Sequence, residues 1–261
     1  MDWHRPTKDI CNSNGIDFLS SAADIEFALK LIELKVPFIK LSSEDLINTR
    51  LIEQLADTQY PICLSTGMAN DFEIENAVQI LSSQYPLEKI SLMHCVSVYP
   101  TPYENSNISR IDELKKRFGL TIGYSDHTLG WKSAILALAK GATFFEKHFT
   151  LSRFLPGPDH SMSADPEALK KYIHELDCAH EALGQGDLDH NKFEDDARTN
   201  FRRSIVAKRN LEIGETIDEE AIAFRRAGGY GLNPLQKERV LGKVVTKRIL
   251  ENSVINRTDL L

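Results

Sequence analysis

Between residues 16 and 183, short apolar runs alternate with amphipathic helical patterns, and this alternation constrains the fold more than any other feature. Six runs have the length and the β-branched or aromatic content of buried strands. They span residues 16–20, 37–41, 61–65, 89–97, 120–122 and 142–145. The helical patterns that follow them span residues 24–34, 45–55, 71–81, 109–118, 131–141 and 166–183. Because two strands joined through a helix are parallel neighbours, the sequence predicts a parallel α/β architecture.

The number of repeats leaves the form of the sheet open. Periodicity alone does not separate an open sheet from a (β/α)8 barrel, and the six units are two short of eight. The last helical pattern has clear ends, since Asp165 suits the N-cap, Pro166 the first turn and Gly184 the stop. We therefore assign residues 1–184 to one α/β domain.

The character of the sequence changes after Gly184. Residues 185–200 are polar and acidic and indicate a linker. Residues 201–261 contain short β runs at 204–207, 244–246 and 254–255, separated by turn signals, and indicate a small, mostly-β domain. This domain is locally basic, with Arg225 and Arg226 adjacent. The basic residues favour an anionic ligand or an acidic partner, and a solubilising surface explains any single arginine equally well.

Two histidines follow neighbouring predicted strands, each beside an acidic residue. His127 follows Asp126, and Glu146 precedes His148 by two residues. Because parallel strands end at the same edge of a sheet, both imidazoles are expected at that edge, where such folds place their chemistry. They can share a divalent metal ion there, or each can be a hydrogen-bonded core residue. Both interpretations stay open on this pattern alone.

Other strand ends carry groups that suit an anion. Ser43 and Ser65 stand where helices begin, and free backbone N–H groups together with the helix dipole favour a phosphate at such positions. Lys40 would add a positive charge. Simple helix capping explains each serine separately, whereas the repetition favours an anion site.

Charge, the length of the apolar runs and cysteine content argue against several kinds of partner and favour one cellular compartment. The formal net charge of −7 over 261 residues argues against nucleic acid as a partner. No apolar run approaches the roughly 18 residues that span a bilayer, so no membrane partner is expected. The four cysteines are scattered without a Cys-x-x-Cys pair, which favours reduced thiols and a cytoplasmic protein.

Seven segments of the chain, taken in order and spacing, resemble the N-acetylneuraminate (sialic acid) synthase family. They are residues 40–45 (KLSSED), 64–68 (LSTGM), 94–95 (HC), 99–103 (YPTPY), 125–128 (SDHT), 146–149 (EKHF) and 156–160 (PGPDH). Residues 201–261 resemble that family's antifreeze-like (SAF) domain, including the segment RRAGG at 225–229. One such motif is weak evidence, and this many in order is strong.

The resemblance implies a synthase that condenses phosphoenolpyruvate with the aldehyde of an N-acetylated amino-sugar of the N-acetylmannosamine type. The product is a nine-carbon sugar acid, and phosphate is released. A divalent ion, Mn²⁺ or else Mg²⁺ or Co²⁺, polarises the aldehyde oxygen. Family members are homodimers in which the SAF domain of one subunit lies over the barrel of the other.

Positions that match the family motifs receive roles from the resemblance. The implied metal ligands are His127 and His148, which are also catalytic, and Asp45 occupies the acidic position that activates water or moves protons. The implied substrate-binding residues are Lys40, Ser43, Ser65, Tyr99, Ser125, Asp159 and Arg226. Of these, Asp159 would meet the amino-sugar, and Arg226 would reach the active site of the partner subunit.

Departures from the family pattern keep other functions open. The family begins with two further β/α units that bring an acid and a lysine, and we expect the barrel of this chain to lack them. A catalytically inactive fragment, whose SAF-like domain binds a carbohydrate or a partner, is therefore one alternative. A Schiff-base aldolase is another, since Lys40 and Lys147 are candidates for the reactive amine. Ser97 stands where the family often has asparagine, so one contact to phosphoenolpyruvate is missing or remade.

Overall fold

The computed structural model of the protein describes residues 3–186, 191–228 and 230–261. The chain divides into two compact units, Met1–Gly184 and Gln185–Leu261, which are described separately below. Within the described ranges, none of the helices has the combination of length and apolar character that a membrane span requires. The four cysteines are free; Cys63 and Cys95 are buried, Cys11 is partly exposed and Cys178 is exposed.

The first unit is built on a five-stranded parallel half-barrel sheet whose strands follow one another in chain order. The strands are β1 (Ile39–Leu41), β2 (Ile62–Ser65), β3 (Ile90–His94), β4 (Thr121–Asp126) and β5 (Phe145–Lys147). The residues of β1 and β2 are all buried, as expected of a parallel sheet that is covered on both faces. The register of β4 and β5 pairs Ser125 with Glu146 and Asp126 with Lys147.

Helices pack against the sheet and against one another and cover part of its apolar core. They are α1 (His4–Ser13), α2 (Ile25–Glu33), α3 (Thr49–Thr58), α4 (Asp71–Ser82), α5 (Arg110–Phe118), α6 (Lys132–Ala139) and α7 (Pro166–Leu183). The predicted ends of α7 are confirmed: Asp165 caps it by accepting the Ala168 N–H at 2.9 Å, and Gly184 follows its last residue. The pattern at 45–55 divides into a 3-10 turn at Ser43–Ile47 and then α3, because Asn48 caps α3.

The strand predicted at residues 16–20 is wrong. These residues form no ladder with another described strand, and Ile16 is 61% exposed whereas Phe18 packs on the core. Parallel pairing begins only at Ser21, which bridges Lys40, and at Ala22, whose N–H donates to the Lys40 carbonyl at 3.0 Å. The apolar residues of this run do not share one buried face, so they do not hold a strand in place. The expected absence of two β/α units stays a prediction.

The second unit has a small core of its own, which includes Ile205, Leu211 and Val245. Helix α8 (Asp195–Phe201) leads into an antiparallel pair, β6 (Arg203–Ala207) and β7 (Ile222–Arg226). The predicted runs at 244–246 and 254–255 form isolated bridges rather than strands. Within the expected linker, α8 begins at residue 195, and residues 187–190 lie outside the described part of the chain. Gly229 of the predicted basic motif also lies outside it.

Candidate active site at the carboxyl ends of the strands

Two imidazoles and a phenol ring lie together where β4 and β5 end. The ring centroids of His127 and His148 are 5.3 Å apart, with an interplanar angle of 81°. The ring centroid of Tyr99 lies 4.2 Å from that of His127 and 5.5 Å from that of His148. The predicted meeting of the two histidines at one edge of the sheet is therefore what the structure shows.

His127 presents one ring nitrogen without a proton. It is 5% exposed, and its Nδ1 lies 2.7 Å from the Val96 carbonyl, which can only accept, so Nδ1 carries the proton. Burial lowers the pKa of His127, which disfavours the charged form of the ring. Nε2 of His127 lies 3.2 Å from Oγ of Ser125, whose hydroxyl donates instead to Glu146 at 2.6 Å. The lone pair of Nε2 is thus left for another ligand.

A chain of polar contacts connects this histidine to the other strand ends. Oε2 of Glu146 lies 3.5 Å from Nζ of Lys40, and the same ammonium donates to Oγ of Ser65 at 2.7 Å. Lys40 is only 8% exposed. Together with the Ser125–Glu146 contact, these bonds join β1, β2, β4 and β5 through one buried cation. The site therefore has a positive charge that suits an anionic substrate beside the imidazoles.

Ser43 lies in a second, adjoining cluster. Its hydroxyl accepts the Gly67 N–H at 3.0 Å and lies 3.2 Å from Sγ of Cys95. A Cβ on Gly67 would overlap Oγ of Ser97 and lie 2.7 Å from Oγ of Ser43. Glycine is therefore required here by the close approach of neighbouring side chains rather than by a left-handed backbone.

The remaining candidates lie at the margin of this constellation or outside it. Oδ2 of Asp159 is 3.8 Å from Nδ1 of His148. Asp45 accepts a hydrogen bond from Oγ of Ser42 at 2.9 Å. Arg226 is exposed on β7 of the second unit, with its guanidinium carbon 5.5 Å from the ring centroid of Phe201.

Glu146 is the residue that sequence reasoning undervalued. The sequence indicated it only as an acidic neighbour of His148, whereas its carboxylate contacts both Lys40 and Ser125. The available signal was the strand alternation, which places Glu146 and His148 on the same face.

The donor set fits a divalent ion that accepts nitrogen ligands. A neutral imidazole whose second nitrogen is bonded to a carbonyl is the usual arrangement of a metal-binding histidine. The ring centroids of the two histidines lie 5.3 Å apart, so both imidazoles could serve as ligands of the same ion. Among the described residues no group of three or more His, Cys, Asp or Glu side chains is placed to hold a metal. His127 and His148 would therefore supply two ligands, and oxygen atoms of substrate or water the others.

Comparison with known proteins gives matches along nearly all of the chain. The model of the NeuB family matches residues 1–188, and that of the SAF domain matches residues 202–261. Uncharacterized protein MJ1065 of Methanocaldococcus jannaschii is 39% identical over 97% of this chain and 75% of its own length. The N,N'-diacetyllegionaminic acid synthase of Campylobacter jejuni is 36% identical over 94% and 72%. A spore coat polysaccharide biosynthesis protein E of Chromobacterium violaceum superposes with a TM-score of 0.81 at 26% identity, covering 98% of this chain and 77% of that one.

Proposed function

Because the chain belongs to the NeuB family and carries a SAF domain at residues 202–261, we propose that it condenses phosphoenolpyruvate with an N-acetylated amino-sugar aldehyde. The observation that carries the proposal is the meeting of the His127–His148 pair with the Lys40–Ser65 contact at one edge of the sheet. A carbon–carbon bond forms between C3 of phosphoenolpyruvate and the aldehyde carbon. Water adds at C2, and the C2–oxygen bond breaks to release phosphate.

We assign the binding of phosphoenolpyruvate, the anionic substrate, to the buried ammonium of Lys40 and the hydroxyl groups of the site. The ammonium of Lys40, held between Ser65 and Glu146, compensates the charge of phosphoenolpyruvate. Ser43, which follows β1, and Ser125, on β4, supply hydroxyls at the same edge of the sheet, and Tyr99 stands beside the imidazoles. Each of these groups already has a hydrogen bond or ring contact within the protein, which reduces the cost of ordering it around the substrate.

His127 and His148 are proposed to hold a divalent ion, with Mn²⁺ as the first candidate and Mg²⁺ or Co²⁺ as alternatives. When bound, such an ion supplies Lewis-acid polarisation of the aldehyde oxygen. Burial disfavours the charged form of His127 by lowering its pKa, and the Nδ1–H of the neutral ring donates to the Val96 carbonyl, so Nε2 is left for the ion. Asp45 is proposed to move a proton or activate water, and Asp159, beside His148, to bind the amino-sugar.

Arg226 is proposed to act in a homodimer, where the SAF domain lies over the partner's barrel and residues 185–200 connect the two domains. The support is the exposed position of Arg226 and its lack of an ion-pair partner within the described residues. Covering the site would exclude water and add a cation beside anionic substrates. The four free cysteines support a cytoplasmic location.

Phosphate release under defined conditions tests this function. The protein is incubated with phosphoenolpyruvate labelled with ¹⁸O at the C2–oxygen bridge, Mn²⁺ and one of several sugars. The sugars are N-acetylmannosamine, its 6-phosphate and the di-N-acetylated precursors of legionaminic and pseudaminic acids. We expect labelled phosphate and a sugar acid of matching mass, and neither with Lys40→Ala. Folded protein that binds the sugar but releases no phosphate with any acceptor would favour the binding-module alternative.

A further inference from the structure

Asp126 and Lys147 form an ion pair that is buried on the side of the sheet away from the candidate site. Nζ of Lys147 lies 3.2 Å from Oδ2 of Asp126, and the side chains are 7% and 0% exposed. The ring of Tyr172 on α7 covers the ammonium, with its centroid 5.4 Å from Nζ. Because successive residues of a strand point to opposite faces, this pair lies behind the Ser125–Glu146 pair that faces the site.

The same two side chains fix the backbone that carries His127. Oδ1 of Asp126 accepts the N–H of Thr128 at 2.8 Å and its hydroxyl at 2.7 Å. The ammonium of Lys147 donates to the carbonyl of Thr128. All the polar groups of Thr128, which is 1% exposed, are therefore bonded to the ion pair. His127 lies between Asp126 and Thr128, so the turn on which its ring stands is held at both ends.

The ion pair also joins β4 and β5 at the last paired residues of their ladder. Asp126 and Lys147 are Cα partners in the ladder, and each directly precedes one of the two histidines. A slip of one residue would move His127 by about 3.3 Å relative to His148 and would reverse the faces of one strand. It would also leave two buried charges without partners, which is strongly unfavourable. A buried pair adds little net stability, but it penalises the wrong alignment strongly.

We propose that Asp126 and Lys147 are positioning residues that hold the two imidazoles at the spacing needed for one divalent ion. They touch neither substrate nor ion and act through the strand register and the Thr128 turn. This inference rests on the proposed metal-binding role of His127 and His148. A purely stabilising ion pair would leave metal affinity and the proton position on His127 unchanged, whereas a positioning ion pair affects both.

The decisive variant is the double substitution Asp126→Asn, Lys147→Met, which removes both charges with little change in volume. The amide oxygen introduced by Asp126→Asn would still accept from Thr128, so the fold is expected to survive. The bond from Lys147 to the Thr128 carbonyl is lost, and no buried charge penalises a slip of the register between β4 and β5 any longer. Mn²⁺ binding is measured by electron paramagnetic resonance of the free ion, together with the thermal midpoint of the metal-free protein. We expect Mn²⁺ affinity to fall about tenfold or more, the range that loss of a ligand's supporting contacts produces. The thermal midpoint of the metal-free protein should change little.

A metal-free measurement separates this inference from the proposed function. Long-range ¹H–¹⁵N spectra of protein labelled at histidine report which ring nitrogen of His127 carries the proton. We expect the Nδ1–H tautomer in the native protein and a tautomer mixture in the double variant. If the native protein binds no Mn²⁺, the metal proposal fails, and the tautomer comparison still decides the positioning role.

Two further variants complete the design. Thr128→Val removes only the hydroxyl bond to Asp126, and we expect it to weaken Mn²⁺ binding several-fold in a protein that folds normally. Lys140→Met breaks the exposed ion pair with Asp112, at 2.6 Å, and should change neither binding nor tautomer. Native Mn²⁺ affinity and an unchanged His127 tautomer in both the double variant and Thr128→Val would overturn the inference.

Discussion

The imidazole rings of His127 and His148 meet edge to face with their centroids 5.3 Å apart, although they belong to different strands. The register that pairs Ser125 with Glu146 brings them together, since each histidine follows its member of that pair by two residues. Both rings therefore emerge on the face that also holds Lys40. This relationship between two strand ends is the basis of the proposed chemistry.

Replacing Glu146 with glutamine should lower kcat/KM and have little effect on the free energy of unfolding. The amide can still accept from Ser125, but Lys40 loses the charge that lies 3.5 Å away. We expect kcat/KM for phosphoenolpyruvate to fall at least about tenfold, the equivalent of roughly 1.4 kcal/mol of transition-state stabilisation. Steady-state phosphate release measures the effect, and Glu75→Gln, which removes a surface partner of Arg117, is the control. Equal kinetics in the two variants would contradict a role for this carboxylate.

Gly67→Ala should destabilise the cluster around Ser43. The new methyl group would overlap Oγ of Ser97 and crowd Sγ of Cys95 at 2.9 Å. Overpacking of this kind costs about 1–3 kcal/mol in the free energy of unfolding, which urea denaturation measures. Adding Ser97→Ala to this variant should recover part of the loss, because it removes the closest atom. A double variant no more stable than Gly67→Ala would show that the strain arises elsewhere.

His94 should make stability depend on pH below neutrality. It is 1% exposed, its Nε2–H donates to the Ser106 carbonyl at 2.9 Å, and burial lowers its pKa. The unfolded chain, with a histidine pKa of about 6.5, then binds a proton at pH values where the native state does not. The contribution of His94 to the free energy of unfolding is fully present above a pH of about 6.5 and is lost as the pH falls below that value. Urea unfolding between pH 7.5 and 5.5 should be less steeply pH-dependent in His94→Gln, and identical slopes would contradict the assignment.

Arg226→Ala should weaken substrate binding and leave folding almost unchanged, since an exposed substitution usually shifts the free energy of unfolding by less than about 0.5 kcal/mol. We expect a raised KM and a nearly constant thermal midpoint. Mixing this variant with Lys40→Ala tests action across subunits, because only a mixed dimer with Arg226 acting in trans restores one complete site. A mixture no more active than its components would contradict the swapped arrangement. A large fall in the midpoint would instead assign Arg226 a structural role.

Much of the fold followed from local pattern, and the failures have physical reasons. The family, the SAF domain and the ends of α7 were predicted correctly because motifs, caps and periodicity are local signals. The strand at residues 16–20 was wrong because apolar content does not show whether residues share a buried face. The runs at 244–246 and 254–255 form only bridges, since pairing partners are not encoded in a single run.

The candidate site was predicted through its strand ends and only partly through its contacts. The meeting of His127 with His148 followed from parallel connectivity. The central place of Glu146, between Lys40 and Ser125, depends on three strands at once, so no local pattern contained it. The buried pairing of Asp126 with Lys147 likewise depends on the register between two strands.

Mn²⁺ binding to the native protein, His127→Ala and His148→Ala tests the central claim most directly. Free Mn²⁺ is followed by electron paramagnetic resonance, and His180→Ala, an exposed histidine at the end of α7, is the control. We predict one ion per chain in the native protein and the control, a loss of affinity of at least tenfold in each of the other two variants, and unchanged metal-free thermal midpoints. Native affinity in either His127→Ala or His148→Ala would contradict the shared metal site.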